Sequence, residues 1–241
     1  MVSVARHRPA ELQSCEDCGI GRLCLSSNLL GGNLQELKPF IGNQFTVQRR
    51  ERLFDAYSPQ RALYVVRAGS FKTCEIDADG DEQVLEFYLP GDVLGLEDLL
   101  QRRHRADAVA LEESSICTVP LDRFGQDDES DSIIFREMFS VMCCKLGEQR
   151  QLIHQLGKAD ATARLASFLL HLSDRLAERN LPARQFRLSM GRTDIASYLR
   201  STLETASRSF SALQREGFIH VRGKNVQIID DPAMRERFLL T

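Results

Sequence analysis

The sequence is short of several things that would place it in familiar classes. No apolar run approaches the roughly 18 residues needed to span a bilayer. The N-terminal MVSVARHRPAEL lacks the apolar core of a secretory signal, so the chain is expected to work in the cytoplasm and away from the membrane. No Ser/His/Asp set, phosphate loop or catalytic pair of carboxylates can be found, and an enzyme is not expected. The five histidines (7, 104, 154, 171 and 220) have no ligand spacing and read as structural or solvated. Excess positive charge is also missing: the formal net charge is −3, which taken alone argues against a nucleic-acid binder. Paired half-cystines are not expected either. Cysteines number seven, at 15, 18, 24, 74, 117, 143 and 144, an odd total in a long chain with no export signal. Clustered thiols in a reducing compartment point instead to metal or redox chemistry.

What is present is unevenly distributed. The 241 residues suffice for one large domain or two ordinary ones, and 43% hydrophobic with 27% charged residues is the composition of a soluble globular protein. Residues 1–159 carry 18 basic and 25 acidic side chains; residues 160–241 carry 13 and 9. An acidic body with a basic tail is a pattern in which one part touches polyanions. The opening cysteines, in SCEDCGIGRLC, are spaced Cys-x2-Cys-x5-Cys, three thiols of a site that ordinarily needs four ligands. By spacing, zinc and iron–sulfur both remain open, although zinc favours two close Cys pairs and only Cys15/Cys18 form one.

From about 41 to 125 short β-rich runs alternate with Gly and Asp punctuation (Gly69, Asp79-Gly80, Pro90-Gly91-Asp92), suggesting a sandwich or barrel. In VLEFYL, Leu85, Phe87 and Leu89 alternate with Val84, Glu86 and Tyr88, as in a strand with one core face. DADGDE is read as an acidic hairpin, since Gly80 stands fourth where a calcium loop needs it sixth. Cys74 reads as a small buried residue on a strand. From 131 to 157 the pattern turns helical. Phe135, Met138, Met142, Lys145, Gln149, Ile153 and Leu156, with Leu146 alongside, follow steps of three and four, near a heptad seam. Packing on its own domain accounts for the stripe equally well. If it is a seam, polar Gln149 and Lys145 weaken it, and a weak dimer can be switched. Cys143 and Cys144 fall on the same helix, about 100° apart.

Beyond 160, an amphipathic helix carrying Leu165, Phe168, Leu169, Leu172 and Leu176 precedes a short strand, QFRLSM. Two short helices, RTDIASYLR and STLETASRSFSALQREG, follow, the second ended by Gly217, and FIHVRGKNVQII closes as a hairpin around Gly223-Lys224-Asn225. This describes a winged helix-turn-helix. Its second helix would begin near Thr202 and present Glu204, Ser207 and Arg208 on one face. Arg can donate twice to guanine and Glu can accept from cytosine; equally, Glu204 and Arg208 could be an ordinary surface pair. Leu203, Ala206, Phe210 and Leu213 are expected in the core. Arg192, Arg200, Arg215, Arg222 and Lys224 are candidates for phosphate contacts.

These pieces together resemble the Crp-Fnr transcription regulators. RxDIAxYL followed by ETxSRxxxxLxxxG is similar to the family's helix-turn-helix, GDEQVLEFYLPGDVLG to its β-roll, and 131–157 to its dimerisation helix. The first three cysteines resemble the cluster motif of the oxygen-sensing FNR/Anr branch. The resemblance implies an α+β fold: an iron–sulfur segment over 1–30, an antiparallel, cyclic-nucleotide-binding-like β-roll over 31–130, a dimerisation helix over 131–158 and a winged helix-turn-helix over 159–241. It implies one [4Fe–4S] cluster per chain, held by Cys15, Cys18, Cys24 and Cys117, which stabilises a DNA-binding homodimer until oxygen degrades it. It further implies an inverted repeat close to TTGAT–N4–ATCAA, read by Glu204, Ser207 and Arg208, and contact with RNA polymerase. Two departures stand out. Many relatives have Gly where this chain has Arg200; a positive φ there would cost a non-glycine residue roughly 1 kcal/mol. The cyclic-nucleotide branch holds ribose and phosphate with a Gly-Glu and an Arg-Ser or Arg-Thr pair, but Leu96 and Ala106-Asp107 align there, so no cyclic nucleotide is expected. A shift of one residue would bring Glu97 and Arg105 into those places.

Overall fold

The computed structural model describes residues 8–9, 41–123, 129–157 and 160–238. The chain divides into two compact units, Met1–Leu146 and Gly147–Thr241.

The first unit is a β-roll of two antiparallel sheets. One has the order β1 (Arg8–Pro9), β2 (Gln44–Val47), β9 (Ser114–Pro120), β4 (Ala62–Ala68) and β7 (Val93–Leu94). The other runs β3 (Arg52–Phe54), β8 (Asp107–Ala110), β5 (Phe71–Ile76) and β6 (Glu82–Tyr88). Period-two alternation sends side chains to opposite faces of the first sheet. Val66 and Ile116 turn inward against Phe54, Phe71, Tyr88 and Leu94. Leu63, Val65, Cys117 and Val119 form a second apolar cluster with Leu96 and Met138. Met138 belongs to α1 (Glu129–Leu156), so this cluster fixes α1 at Met138 to the sheet that carries Cys117.

The strand VLEFYL departs from the simple alternation. Thr73 pairs with Glu86 but Cys74 with Val84, so the register slips and Leu85 is the extra residue of a bulge. Leu85 is left half-buried, while Val84, Phe87 and Tyr88 are buried. The DADGDE turn is a hairpin: Gly80 takes φ 87° and the Asp77 carboxylate accepts from the N–H groups of Asp79 and Asp81. Cys74 is buried as expected, but its neighbours are charged. Its thiol reaches Glu82, which also pairs with Lys72. Burial first, then the nearby Glu82, pushes the Cys74 thiol up to about 12.

The second unit contains α2 (Ala161–Glu178), β10 (Gln185–Arg187), α3 (Arg192–Tyr198), α4 (Leu203–Arg215), β11 (Ile219–Arg222), β12 (Asn225–Ile228) and α5 (Asp231–Phe238). Asp160 caps α2 by accepting from the N–H groups of Thr162 and Ala163. Leu165, Leu169, Ile195, Leu213 and Val226 are fully buried and hold the helices on the β10-β12-β11 sheet. Gly217 (φ 81°) ends α4, and Gly223 (φ 62°) turns the β11–β12 wing. Among the described residues no helix is long and apolar enough to cross a membrane.

Candidate nucleic-acid interface and sensor elements

The path from α3 to α4 is set by local chemistry. The Asp194 carboxylate accepts from the N–H of Gly191 at 2.7 Å and starts α3. At its end, Ser201 donates back to the Ala196 carbonyl at 2.9 Å with Arg200 at φ 51°, the left-handed residue of a Schellman closure. The positive φ anticipated at Arg200 is therefore present. Thr202 caps α4, its hydroxyl accepting from the Thr205 N–H at 3.1 Å. Ala206, Ser209, Phe210 and Leu213 face inward.

Glu204, Ser207 and Arg208 are exposed together at positions i, i+3 and i+4 of α4. Arg208 lies 3.5 Å from Glu204, with both side chains more than two-thirds exposed. In water such a contact contributes little, so both groups remain available to another acceptor or donor. The Ser207 hydroxyl donates to the Leu203 carbonyl at 2.8 Å and keeps its acceptor capacity.

Leu203 corrects the expectation for this helix. It is exposed, because at the first helical position its side chain points away from the α2–α4 core. Arg200, Arg215 and Arg222 are exposed, as phosphate contacts need. Arg192 differs from its expected role. Its guanidinium lies 3.1 Å from the Phe210 ring centroid, and burial lowers its pKa to about 10. It packs the start of α3 onto α4 instead of facing solvent. Lys224 is half-buried and donates to the Ser189 carbonyl at 2.7 Å, which ties the wing to the turn before α3.

Two family profiles match the chain: "Cyclic nucleotide-binding domain" over residues 44–126 and "Crp-like helix-turn-helix domain" over 163–237. The anaerobic regulatory protein of Pasteurella multocida is 37% identical over 92% of this chain and 81% of its own length. The chain belongs to the Crp/Fnr family. The fumarate and nitrate reduction regulatory protein of Escherichia coli K12 is 34% identical over 92% of this chain and 89% of its own. FixK2 from Bradyrhizobium japonicum superposes with a TM-score of 0.73 at 28% identity, covering 81% of this chain and 96% of that structure. Like its family, this Crp/Fnr protein is a DNA-binding transcription regulator and not an enzyme.

Within this Crp/Fnr chain, α1 carries two faces. Met138 is 4% exposed and sits in the Cys117 cluster, with Val141 packed against it. Lys145, on the same side, pairs with Glu86 and lies 4.4 Å from the Tyr88 ring centroid. Met138 and Lys145 therefore do not belong to an outer seam; the β-roll claims them. The outward stripe is Phe135, Phe139, Met142, Leu146, Gln149 and Ile153, all exposed and spaced by alternating fours and threes. Phe139, 65% exposed, is the residue that the sequence reading missed. Strict heptad counting would have found it. The side chain of Leu156 lies outside those described.

Of the four expected thiolates, Cys15, Cys18 and Cys24 lie outside the described residues. Cys117 lies on β9 with its side chain buried on the α1 side of the sheet. The flanking chain returns to it. Gln44 pairs with Cys117, and β2 also receives β1, with Pro9 opposite Phe45. Pro9 thus stands two strands across the sheet from Ile116, with β2 between them, and the six residues from Pro9 to Cys15 span at most about 20 Å. A buried thiol in an apolar shell, within chain reach of three more, suits a thiolate-ligated cluster.

Asp107, aligned with the phosphate-binding pair of nucleotide-responsive relatives, is committed elsewhere. Its carboxylate accepts from the Ala56 N–H at 2.7 Å and meets the Arg52 guanidinium at 3.1 Å.

Proposed function

We propose that this Crp/Fnr chain is an oxygen-responsive regulator of anaerobic gene expression, in which Cys15, Cys18, Cys24 and Cys117 hold a [4Fe–4S] cluster. The observation that carries the reading is the position of Cys117: one apolar cluster contains both its side chain and Met138 of α1. The names of two similar relatives, an anaerobic regulatory protein and a fumarate and nitrate reduction regulator, support it. When bound, the cluster supplies an oxygen-labile cross-link between segment 15–24 and β9.

The chain's own residues do the rest. Met138 and Lys145 hold one side of α1 to the β-roll, which leaves Phe135, Phe139, Met142, Leu146 and Ile153 to meet a second copy. Gln149 interrupts that apolar stripe and keeps the homodimer near balance. Two copies of α4 then reach half-sites about one DNA turn apart. Glu204, Ser207 and Arg208 read base edges of a TTGAT–N4–ATCAA-like palindrome, and Arg200, Arg215 and Arg222 contact phosphate. No cyclic nucleotide takes part, because Leu96 and Ala106-Asp107 stand where a Glu and an Arg-Ser pair would hold ribose and phosphate, and the Asp107 carboxylate is taken by Arg52 and the Ala56 N–H; titration with cyclic AMP should show no heat.

Anoxic purification tests the reading. A brown protein with about four iron and four sulfide per chain, binding the palindrome, is expected. Air should bleach it and weaken DNA binding at least tenfold. Cys117→Ser should abolish the colour and Cys74→Ser should not. A colourless protein that binds the palindrome equally well in air would refute the proposal.

A further inference from the structure

The β-roll encloses a polar cluster that takes no part in the dimer seam or the DNA face. His104, Asp98 and Gln60 are 1%, 3% and 5% exposed. The His104 ring stacks on Phe54 with centroids 3.6 Å apart, and its Nδ1 lies 3.4 Å from the Asp98 carboxylate. Neither imidazole nitrogen makes a hydrogen bond, nor does Asp98 Oδ1 or Gln60 Oε1. Buried polar atoms left unpartnered beside one another are an unmet electrostatic demand. The groups around the ring are Asp98, Phe54 on β3, the Tyr64 phenol on β4 with its centroid 6.1 Å away, and Gln60 across Gly95. Asp98 is the charged one among them; Arg61, Arg102, Arg103 and Arg105 are exposed.

The cluster is tied to a short turn with three destinations. Leu96–Asp98 is one 3-10 turn, opened by Gly95 at φ 87°. A Cβ on Gly95 would stand 2.8 Å from Gln60 Nε2 and 3.6 Å from His104 Cε1, so the glycine lets both side chains close on the turn. The Gln60 amide anchors the start of the turn by donating to the Gly95 carbonyl at 2.5 Å. Leu96 enters the apolar cluster that holds Cys117 and Met138 of α1. Glu97 accepts from the Tyr88 hydroxyl at 3.2 Å, and Lys145 of α1 lies over the same Tyr88 ring. Asp98 reaches His104. A shift of this turn is therefore felt at two points of α1.

We propose that His104, Asp98 and Gln60 form a proton-responsive latch: the neutral imidazole keeps the turn Leu96–Asp98 in place and α1 seated on the β-roll, and the protonated one releases both. Protonation gives the ring a second N–H and a charge. Asp98 can meet one N–H. The Gln60 oxygen can meet the other only if its amide turns away from the Gly95 carbonyl, which frees the start of the turn. Stacked on Phe54 and enclosed, the imidazolium has no water to turn to. Burial, opposed by Asp98, already disfavours the charged ring. The seated form therefore binds the proton more weakly than the released form. It prevails at neutral pH and loses ground as pH falls below about 6.5. Internal acidity becomes a second input to the dimer, separate from the cysteines. The latch rests on α1 being the dimer helix.

Sedimentation across pH tests it. Full-length protein, purified anoxically and assayed for iron and sulfide at each pH, is followed between about pH 7.5 and 5.5. The dimer Kd should rise about tenfold toward the acid end, the factor that one pKa unit between seated and released ring supplies. His104→Gln should flatten that profile. Asp98→Asn should move its midpoint to lower pH, because the carboxylate favours the charged ring; a merely structural role for the pair would leave the midpoint in place. In the wild type, one imidazole proton resonance should titrate below about pH 6.5 and move further down in Asp98→Asn, a readout that stands even if His104→Gln fails to fold. A profile unchanged in His104→Gln, or no such resonance, overturns the proposal. Dimer loss that tracks iron loss equally in wild type and His104→Gln assigns the acid effect to the cluster and also overturns it. A chain that is monomeric at every pH refutes the dimer helix and the latch together, whereas a dimer indifferent to pH refutes the latch alone.

Discussion

Met138 and Phe139 are neighbours in sequence with opposite expected phenotypes. Met138 is 4% exposed against Leu63, Val65, Cys117 and Val119. Truncating it removes three side-chain atoms from a packed cluster and leaves a cavity. For buried Met→Ala the cost is about 2–5 kcal/mol, and a site at the helix–sheet boundary belongs near about 3 kcal/mol. Phe139 is 65% exposed, so Phe139→Ala should leave the isolated chain within about 0.5 kcal/mol of wild type. At a two-fold seam the same change is felt twice. With about 2 kcal/mol for each ring buried, dimerisation weakens by about 4 kcal/mol, near a thousandfold in Kd. Calorimetric unfolding at low concentration reads the first quantity, and anoxic sedimentation across a concentration series reads the second. Met138→Ala should lower the melting temperature of the monomer; Phe139→Ala should leave it and abolish the dimer at micromolar chain. Equal melting losses, or an unaltered dimer in Phe139→Ala, would refute the division of α1 into an inner and an outer face.

Lys145→Met strips the cation from a largely buried pair with Glu86 and from the Tyr88 ring; denaturant unfolding should show a loss of about 1–3 kcal/mol, restored in part by adding Glu86→Gln. Arg200→Gly relieves the left-handed strain at φ 51°, so melting should show about 0.5–1 kcal/mol of added stability, while the salt slope of DNA binding falls by about 1 for each half-site if the guanidinium touches phosphate. Burial lowers the His104 pKa from 6.5, with Asp98 opposing the shift. The unfolded chain therefore binds the proton more readily, and stability should be full above about pH 6.5 and decline as pH falls below it. In His104→Phe that part of the decline should disappear from melting curves taken between pH 7.5 and 5.5.

The helix-turn-helix was the most legible region. Its periodicity, the helix start near Thr202, the stop at Gly217 and the turn at Gly223 are local signals, and local hydrogen bonds decide where such helices start and stop. The β-roll was legible as a class but not in register: nothing in VLEFYL announces that Leu85 is a bulge, because register depends on what lies across the strand. Arg192 and Leu203 were misplaced for a related reason. A long cation can lie flat on a ring, and a leucine at the first turn can miss the core; both depend on neighbours distant in sequence.

By itself the sequence determined the division into an acidic body and a basic tail and the face formed by Glu204, Ser207 and Arg208, which are matters of charge count and helical spacing; the left-handed conformation at Arg200 was raised only by the resemblance and is seen in the structure. Only the tertiary structure decided which side of α1 is free. Met138, Phe139, Lys145 and Leu146 all fit a helical apolar stripe by spacing. The β-roll selects Met138 and Lys145 because Cys117, Glu86 and Tyr88 happen to face them. The same packing puts the Cys117 side chain beneath the helix, a neighbourhood fixed by the pairing of β9 between β2 and β4 and by no motif around LEESSICTVP.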